Sequence, residues 1–86
     1  SLKFQNISFE GSEIKECDFT KTQLTGANFI YTDLEKSIFF HTNLKKTDFR
    51  FATNFSINPN INNLEKTKFS RENVNLLLNT FDIVVE

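Results

Sequence analysis

The chain has 86 residues, a formal net charge of −1 at pH 7, eleven Phe, one Tyr, no Trp and a single Cys. The near-zero net charge disfavours a general nucleic-acid-binding protein, which should be basic, and so many aromatic rings argue against a disordered chain. No apolar run approaches the roughly 20 residues that a membrane span needs. One cysteine cannot build a disulfide framework, so we expect a cytoplasmic protein in a reducing compartment.

A period of five residues runs through the first half of the chain. The residue two before each large apolar residue is small from Ser12 onward, and the residue directly before it is mostly polar, often Asn or Asp. Each repeat therefore has a small position, a polar position, a central position and two outward positions. The ten consecutive central positions hold only Phe, Leu or Ile: Phe4, Phe9, Ile14, Phe19, Leu24, Phe29, Leu34, Phe39, Leu44 and Phe49.

A five-residue period fits neither an α-helix nor a flat strand. In a helix, successive central residues would point about 140° apart, and in a strand an odd step would place them on alternate faces. A chain that buries all of them must turn a corner about every five residues, so four repeats close a square coil of twenty residues. Stacked coils then place central residues in columns: Phe4, Leu24 and Leu44; Phe9, Phe29 and Phe49; Ile14 and Leu34; Phe19 and Phe39.

The repeats resemble the pentapeptide repeat family and its A(D/N)LXX motif over residues 2–51. The closest repeats are Ala27-Asn28-Phe29, Thr32-Asp33-Leu34, Thr42-Asn43-Leu44 and Thr47-Asp48-Phe49. The resemblance implies an all-β solenoid, a right-handed quadrilateral β-helix. It implies little about function, although the best-understood members resemble B-form DNA and inhibit or protect bacterial DNA gyrase, as the quinolone-resistance pentapeptide proteins do.

The pattern breaks after residue 53 and then returns in the same frame. Asn54 and Pro59 occupy two central positions, and Leu64 and Phe69 then extend the Phe4 and Phe9 columns. We therefore expect a single domain over 1–86. Its parts are a solenoid over 2–53, an irregular loop over 54–61, two final repeats over 62–69, and a C-terminal helix with a strand-like end over 70–86.

The segment 70–81 predicts a short α-helical cap that starts at Ser70. Val74, Leu77, Leu78 and Phe81 lie at i, i+3, i+4 and i+7, which forms an apolar stripe. The longer segment from Asn54-Phe55-Ser56-Ile57 through Lys68-Phe69-Ser70 to Asp82-Ile83 also resembles the C-terminal tail of many bacterial pentapeptide repeat proteins, in which a helix covers the solenoid end and often mediates dimerisation. Two interpretations remain open, a cap alone or a cap that is also a homodimer interface.

The residues that could carry chemistry are few and scattered. Cys17 occupies a small position and is expected to point inward, whereas His41 occupies an outward position and should be solvated. The face with Glu13, Glu16, Asp33 and Glu35 also carries Lys15 and Lys36, which is typical of solvated ion pairs. We therefore predict no enzyme, no catalytic or metal site, no cofactor, no small-molecule substrate, and no nucleic-acid or membrane partner.

Apolar residues at outward positions are the most informative surface feature. Ile30, Tyr31 and Phe51 share one side of the coils, and Ile38 and Phe40 share another. Either the loop or the C-terminal helix covers them, or they form a contact surface for an unknown protein partner or a second copy. The sequence thus favours a non-catalytic structural or protein-interaction module. Gyrase inhibition or protection by DNA mimicry is the alternative, and interspersed lysines weaken it.

Overall fold

The backbone coils with a repeat of twenty residues, as the sequence predicts. The computed structural model describes the backbone of residues 3–81 and the side chains of residues 3–78. Over this range, nine of ten parallel bridges join residues twenty apart, from Lys3–Gln23 to Asp48–Lys68. Phe9 N donates to Asn28 O at 2.7 Å, and Asn28 N donates to Ile7 O at 2.8 Å. Because the chain turns every five residues, pairing in the described range occurs through isolated bridges rather than extended strands.

The central residues form the core, stacked in the predicted columns. Ring centroids lie 5.0 Å apart for Phe9 and Phe29, 5.1 Å for Phe29 and Phe49, and 5.5 Å for Phe49 and Phe69. A second column stacks Phe19 on Phe39 at 5.1 Å. The fully buried central residues are Leu24, Phe29, Leu34, Leu44 and Phe49. The aromatic and aliphatic columns therefore make one continuous apolar interior.

Threonines at the small positions combine small size with a recurrent hydrogen bond. Thr32 Oγ1 donates to Phe9 O at 2.8 Å, and Thr47 Oγ1 donates to Leu24 O at 2.7 Å. The same bond, to the carbonyl of the central residue in the preceding coil, recurs at Thr42 and at Thr67. Each of these hydrogen bonds gives a partner to two polar groups inside the solenoid, the hydroxyl and the carbonyl, as buried polar groups require.

The polar positions hold the corners through side-chain hydrogen bonds. Asn28 Oδ1 accepts from Ile30 N at 2.8 Å, and Asp48 Oδ1 accepts from Arg50 N at 3.0 Å. Asx side chains bond in this way to the backbone two residues on in turns. The preference for Asn and Asp therefore reflects a structural role as well as exposure to water.

Every corner in a regular repeat places its second outward residue in the left-handed region of backbone conformation. These residues have φ between 52° and 73° and are Asn6, Gly11, Glu16, Lys21, Gly26, Tyr31, Lys36, His41, Lys46, Phe51 and Lys66. Only two of them are glycine, the residue that adopts this region without a steric penalty. The sequence pattern gave no indication of this requirement, because most of the side chains at this position are ordinary polar ones.

Residues 54–61 depart from the repeat and still contribute to the core. Asn54 takes a positive φ of 59°, and the side chains of Phe55 and Ile57 are buried. Ile57 pairs with Phe39, only eighteen residues away, so the register is shortened by two at this point. Phe55 and Ile57 therefore replace the central residues that Asn54 and Pro59 could not supply.

The C-terminal helix differs in type from the predicted α-helix over 70–81. A turn over residues 71–73 leads into a 3₁₀ helix, Val74–Phe81. Val74 is 42% exposed, while Leu76 and Leu77 pack against the core. With about three residues per turn, Val74 and Leu78 no longer share a face. The spacing of four that placed Val74 with Leu78 assumed an α-helix. The predicted strand-like segment 82–86 lies outside the described residues.

Candidate protein-interaction surface

Tyr31 and Phe51 form a pair of stacked rings on the outside of the solenoid, which we call the aromatic ledge. Their centroids lie 5.1 Å apart with an interplanar angle of 13°. Tyr31 is 64% exposed and Phe51 is 42% exposed, while neighbouring Ile30 is half-buried. Among the described residues, neither 54–61 nor the start of the C-terminal helix covers the ledge.

The backbone of the ledge adopts a conformation that disfavours bulky side chains. Tyr31 has φ of 55° and Phe51 has φ of 61°, both in the left-handed region. A bulky residue there is an outlier, and such conformations cost of order 1–3 kcal/mol each. Exposed rings at unfavourable positions add nothing obvious to the core, which favours a role in contact with another molecule.

A groove of about 500 Å³ opens beside the ledge, between the solenoid and the start of the 3₁₀ helix. This volume falls in the range of roughly 300–1,000 Å³ that is typical of binding pockets. Glu72 at its rim is exposed, and its carboxylate makes no ion pair among the described residues. The groove is lined by Tyr31, Phe51, Ala52, Thr53, Asn54, Glu72, Asn73 and Leu76.

Asn73 fixes the floor of the groove. Its Nδ2 donates to Phe49 O at 2.8 Å and to Ala52 O at 2.9 Å, and its Oδ1 accepts from Ser70 N at 2.9 Å. The bond to Phe49 O replaces the threonine hydroxyl that a further coil would supply. The buried side chain of Asn73 therefore ends the solenoid and sets the start of the helix.

Asn73 is not among the residues that the sequence pattern predicts, although a signal for it is present. Ser70 begins the predicted helix, and a capping box expects a polar side chain three residues later that bonds back to the N–H of that first residue. Asn73 makes that bond. The hydroxyl oxygen of Ser70 also accepts from Phe51 N at 3.2 Å, so the ledge and the cap are joined directly.

The second apolar patch, Ile38 and Phe40, lies half a coil from the ledge. Ile38 and Phe40 are exposed, and the ring of Phe40 lies 4.3 Å from that of His41. Tyr31 and His41 are ten residues apart, which is half of the twenty-residue coil, so they occupy opposite corners. The structure therefore separates the predicted interaction residues into two surfaces.

The acidic side of the solenoid has mixed charge. Lys15 Nζ lies 3.2 Å from Glu13 Oε2 and 3.6 Å from Asp33 Oδ2. The hydrogen bond to Glu13 raises the pKa of Lys15, and the hydrogen bond from Asn54 lowers the pKa of Asp33. The carboxylates on this side are thus partly neutralised, as expected for solvated ion pairs.

Cys17 is exposed, which corrects the expectation that its thiol is buried. It belongs to the first coil of the described residues, where the central residues Phe4, Phe9 and Ile14 are also only half-buried. Within residues 3–81, no group of three His, Cys, Asp or Glu side chains could hold a metal ion. No helix of that part of the chain is long and apolar enough to cross a membrane.

Comparison with known proteins agrees with the repeat geometry. A family model described as pentapeptide repeats matches in eight copies over residues 3–39 and 17–53. Among solved structures, the chain is similar to trypsin-treated QnrB1, a plasmid-mediated fluoroquinolone resistance protein, with 20% identity and a TM-score of 0.48. That match covers 98% of this chain and 43% of the QnrB1 chain. No curated protein gives a significant match.

Proposed function

Because the chain belongs to the pentapeptide repeat family, whose solenoid is a right-handed quadrilateral β-helix, we propose that it is a non-catalytic protein-interaction module. Its contact surface is the aromatic ledge with the adjoining groove. The observation that supports this most strongly is the exposed stack of Tyr31 on Phe51, held at backbone positions that disfavour both rings.

Hydrogen bonds also hold the backbone of the ledge in a fixed position, which favours a contact surface. Bonds from Phe51 N to the hydroxyl of Ser70, and from the side chain of Asn73 to Phe49 O, join it to the end of the solenoid. A rigid aromatic surface loses little conformational entropy on binding, and aromatic residues are enriched in the centre of protein interfaces.

DNA mimicry is less well supported by the surface. It requires a continuous negative potential, but Lys15 bridges Glu13 and Asp33 on the most acidic side. On the adjacent side, Arg50 Nη2 lies 2.8 Å from Asp48 Oδ2. The neutralised carboxylates favour an apolar contact over imitation of phosphates.

The experiment that tests the module is site-specific photocrosslinking in cells that produce the protein. p-Benzoylphenylalanine replaces Phe51 in one variant and Lys36 in a matched control, because both residues are exposed and occupy second outward positions with φ of 61°. We expect a discrete adduct with another protein from position 51 and none from position 36. No adduct from position 51, or the same set from both positions, would refute the ledge as a contact surface.

A homodimer through the C-terminal helix is a separate proposal about partners. Exposed Val74 is the residue that favours it, since Leu77 packs against the core and its substitution would also disturb the fold. Light scattering on a size-exclusion column should give a dimer mass for the wild type and a folded monomer for Val74→Asp. A monomeric wild type at micromolar concentration would rule this interface out.

A further inference from the structure

We infer that the groove beside the aromatic ledge receives an arginine side chain of the partner protein. This inference rests on the proposed function, because it gives the chemistry of the partner at the same surface. It follows from the charge of the groove, from its hydrogen-bonding groups and from the aromatic rings that line it.

Among the described residues that line the groove, Glu72 is the only charged one. Its side chain is exposed and has no cationic partner in the described residues. Arg50, which precedes Phe51 in the chain, is already engaged, because its Nε and Nη2 donate to the carboxylate of Asp48 at 3.0–3.1 Å and 2.8 Å. The groove therefore offers an unneutralised negative charge next to apolar surface.

The groove presents acceptor oxygens together with a negative charge. Asn73 directs both of its Nδ2 hydrogens to the carbonyls of Phe49 and Ala52, so this amide has no hydrogen left to donate. Asn54 Nδ2 donates to Asp33 Oδ1 at 3.1 Å, and its Oδ1 is left as an acceptor. The hydroxyls of Tyr31 and Thr53 can also accept. The carboxylate of Glu72 repels an acidic or phosphorylated group and attracts a cation.

The rings of Tyr31 and Phe51 favour arginine over lysine as the cation in the groove. Tyr31 and Phe51 line the groove with Leu76, so an occupant must combine a positive charge with a surface that packs on aromatic and aliphatic groups. The guanidinium of arginine is planar, weakly hydrated and able to stack on aromatic faces, and it carries five donors and no acceptor. The ammonium of lysine is compact and strongly hydrated, which suits this groove less well.

The test is a titration of the full chain, with the ring signals of Tyr31 and Phe51 followed by nuclear magnetic resonance. The probe is N-acetyl-arginine-methylamide at millimolar concentration, compared with the lysine analogue and with the citrulline analogue, a neutral isostere of arginine. We expect the arginine probe to shift both rings and to bind about three- to tenfold more tightly than either analogue.

Two variants distinguish binding in the groove from a general attraction between the cationic probe and surface carboxylates. Glu72→Gln should weaken the arginine probe about threefold or more, while Glu65→Gln, at another exposed carboxylate, should leave it unchanged. Equal binding of the arginine and citrulline probes, an unaffected Glu72→Gln variant, or no shift of either ring would overturn the inference. So would nuclear Overhauser contacts from the ring of Phe51 to the methyl groups of Ile83, Val84 or Val85, which would mean that the chain fills its own groove.

Failure of this inference can be told apart from failure of the proposed function. If crosslinking from position 51 captures a partner while the arginine probe does not bind, the ledge remains a contact surface with a partner of other chemistry. If neither experiment succeeds, both proposals fail.

Discussion

One ring stack inside the solenoid and the aromatic ledge outside it have the same spacing and opposite environments. Phe29 and Phe49 lie 5.1 Å apart inside the solenoid, and Tyr31 and Phe51 lie 5.1 Å apart outside it. Both pairs are twenty residues apart, so the coil alone sets the spacing. Phe29 and Phe49 are fully buried, whereas both ledge rings are exposed. The repeat thus determines where rings stack, and the side of the backbone determines whether the stack supports folding or is available for contact.

The largest expected effect is the loss of an inner ring. Phe29→Ala removes a buried aromatic side chain between Phe9 and Phe49, so we expect a loss of about 3–5 kcal/mol in the free energy of unfolding. Phe51→Ala, the matched change on the ledge, should cost about 1 kcal/mol or less, since it removes one partly exposed stacking contact. Chemical denaturation measures both. Equal costs would mean that the ledge is part of the core and would break the comparison.

The next largest effect concerns the residue that joins the inner core to the ledge. Asn73→Ala removes the partners of Phe49 O, Ala52 O and Ser70 N, so we expect a loss of about 2–3 kcal/mol. Asn75→Ala, at an exposed amide in the helix that follows Asn73, should stay within about 0.5 kcal/mol of the wild type. Similar thermal melting of the two variants would show that Asn73 does not close the solenoid.

The backbone cost of the ledge gives a smaller effect. Tyr31→Gly and Tyr31→Ala both remove the ring, but only glycine adopts the left-handed region without penalty, so the glycine variant should be more stable by about 1 kcal/mol. Gly11→Ala is the reciprocal control, because a Cβ there would meet no atom within 4 Å and only the φ of 73° opposes it. It should lose about 1 kcal/mol. Equal stability of the two Tyr31 variants would show that the left-handed backbone is not strained at this position, so the strain could no longer support a contact surface there.

The smallest effect is electrostatic and lies on the same side as the ledge. Burial acts to raise the pKa of Asp48, but its bonds with Arg50 outweigh this and hold the pKa below the usual value. A lowered pKa in the folded state means that the ionised carboxylate stabilises the fold above about pH 4, and that this is lost as the pH falls through the folded-state pKa. Asp48→Asn should therefore make acid unfolding less steep, by under about 1 kcal/mol since the Arg50 side chain is 49% exposed. An unchanged acid limb in pH-dependent denaturation would contradict this.

The columns could be predicted because size and spacing alone determine them. Phe29 and Thr32 differ in volume and recur with a fixed period, and only a square coil satisfies both. The left-handed corners could not be predicted, because Lys36 and Tyr31 adopt by tertiary constraint a conformation that their side chains do not favour. The helix type was wrong for a related reason. Periodicity at i and i+4 assumes an α-helix, whereas the bonds of Asn73 fix the turn before Val74.

The candidate surface was predicted in part. The outward aromatics were identified from their position in the repeat, but the groove was not, since it depends on where the end of the chain returns to the coils. Leu76 and Glu72 line the groove only because the segment that follows Ser70 packs back against the coils. The exposure of Cys17 was also missed, because the repeat describes a small position without telling whether another coil covers it.

Because the register is twenty residues, the number of residues between two outward positions determines whether they lie on the same side of the solenoid. Inserting a whole coil between Lys36 and Ser37 would carry Phe51 about 4.8 Å further along the axis and leave it on the same side as Tyr31, with one inserted corner between the two rings. Inserting a single repeat of five residues would instead move Phe51 to the neighbouring side. Duplication of the sixty bases that encode residues 17–36 would therefore place a second Tyr between Tyr31 and Phe51 and extend the stack, whereas a step of fifteen bases would change the side of every outward residue that follows the insertion.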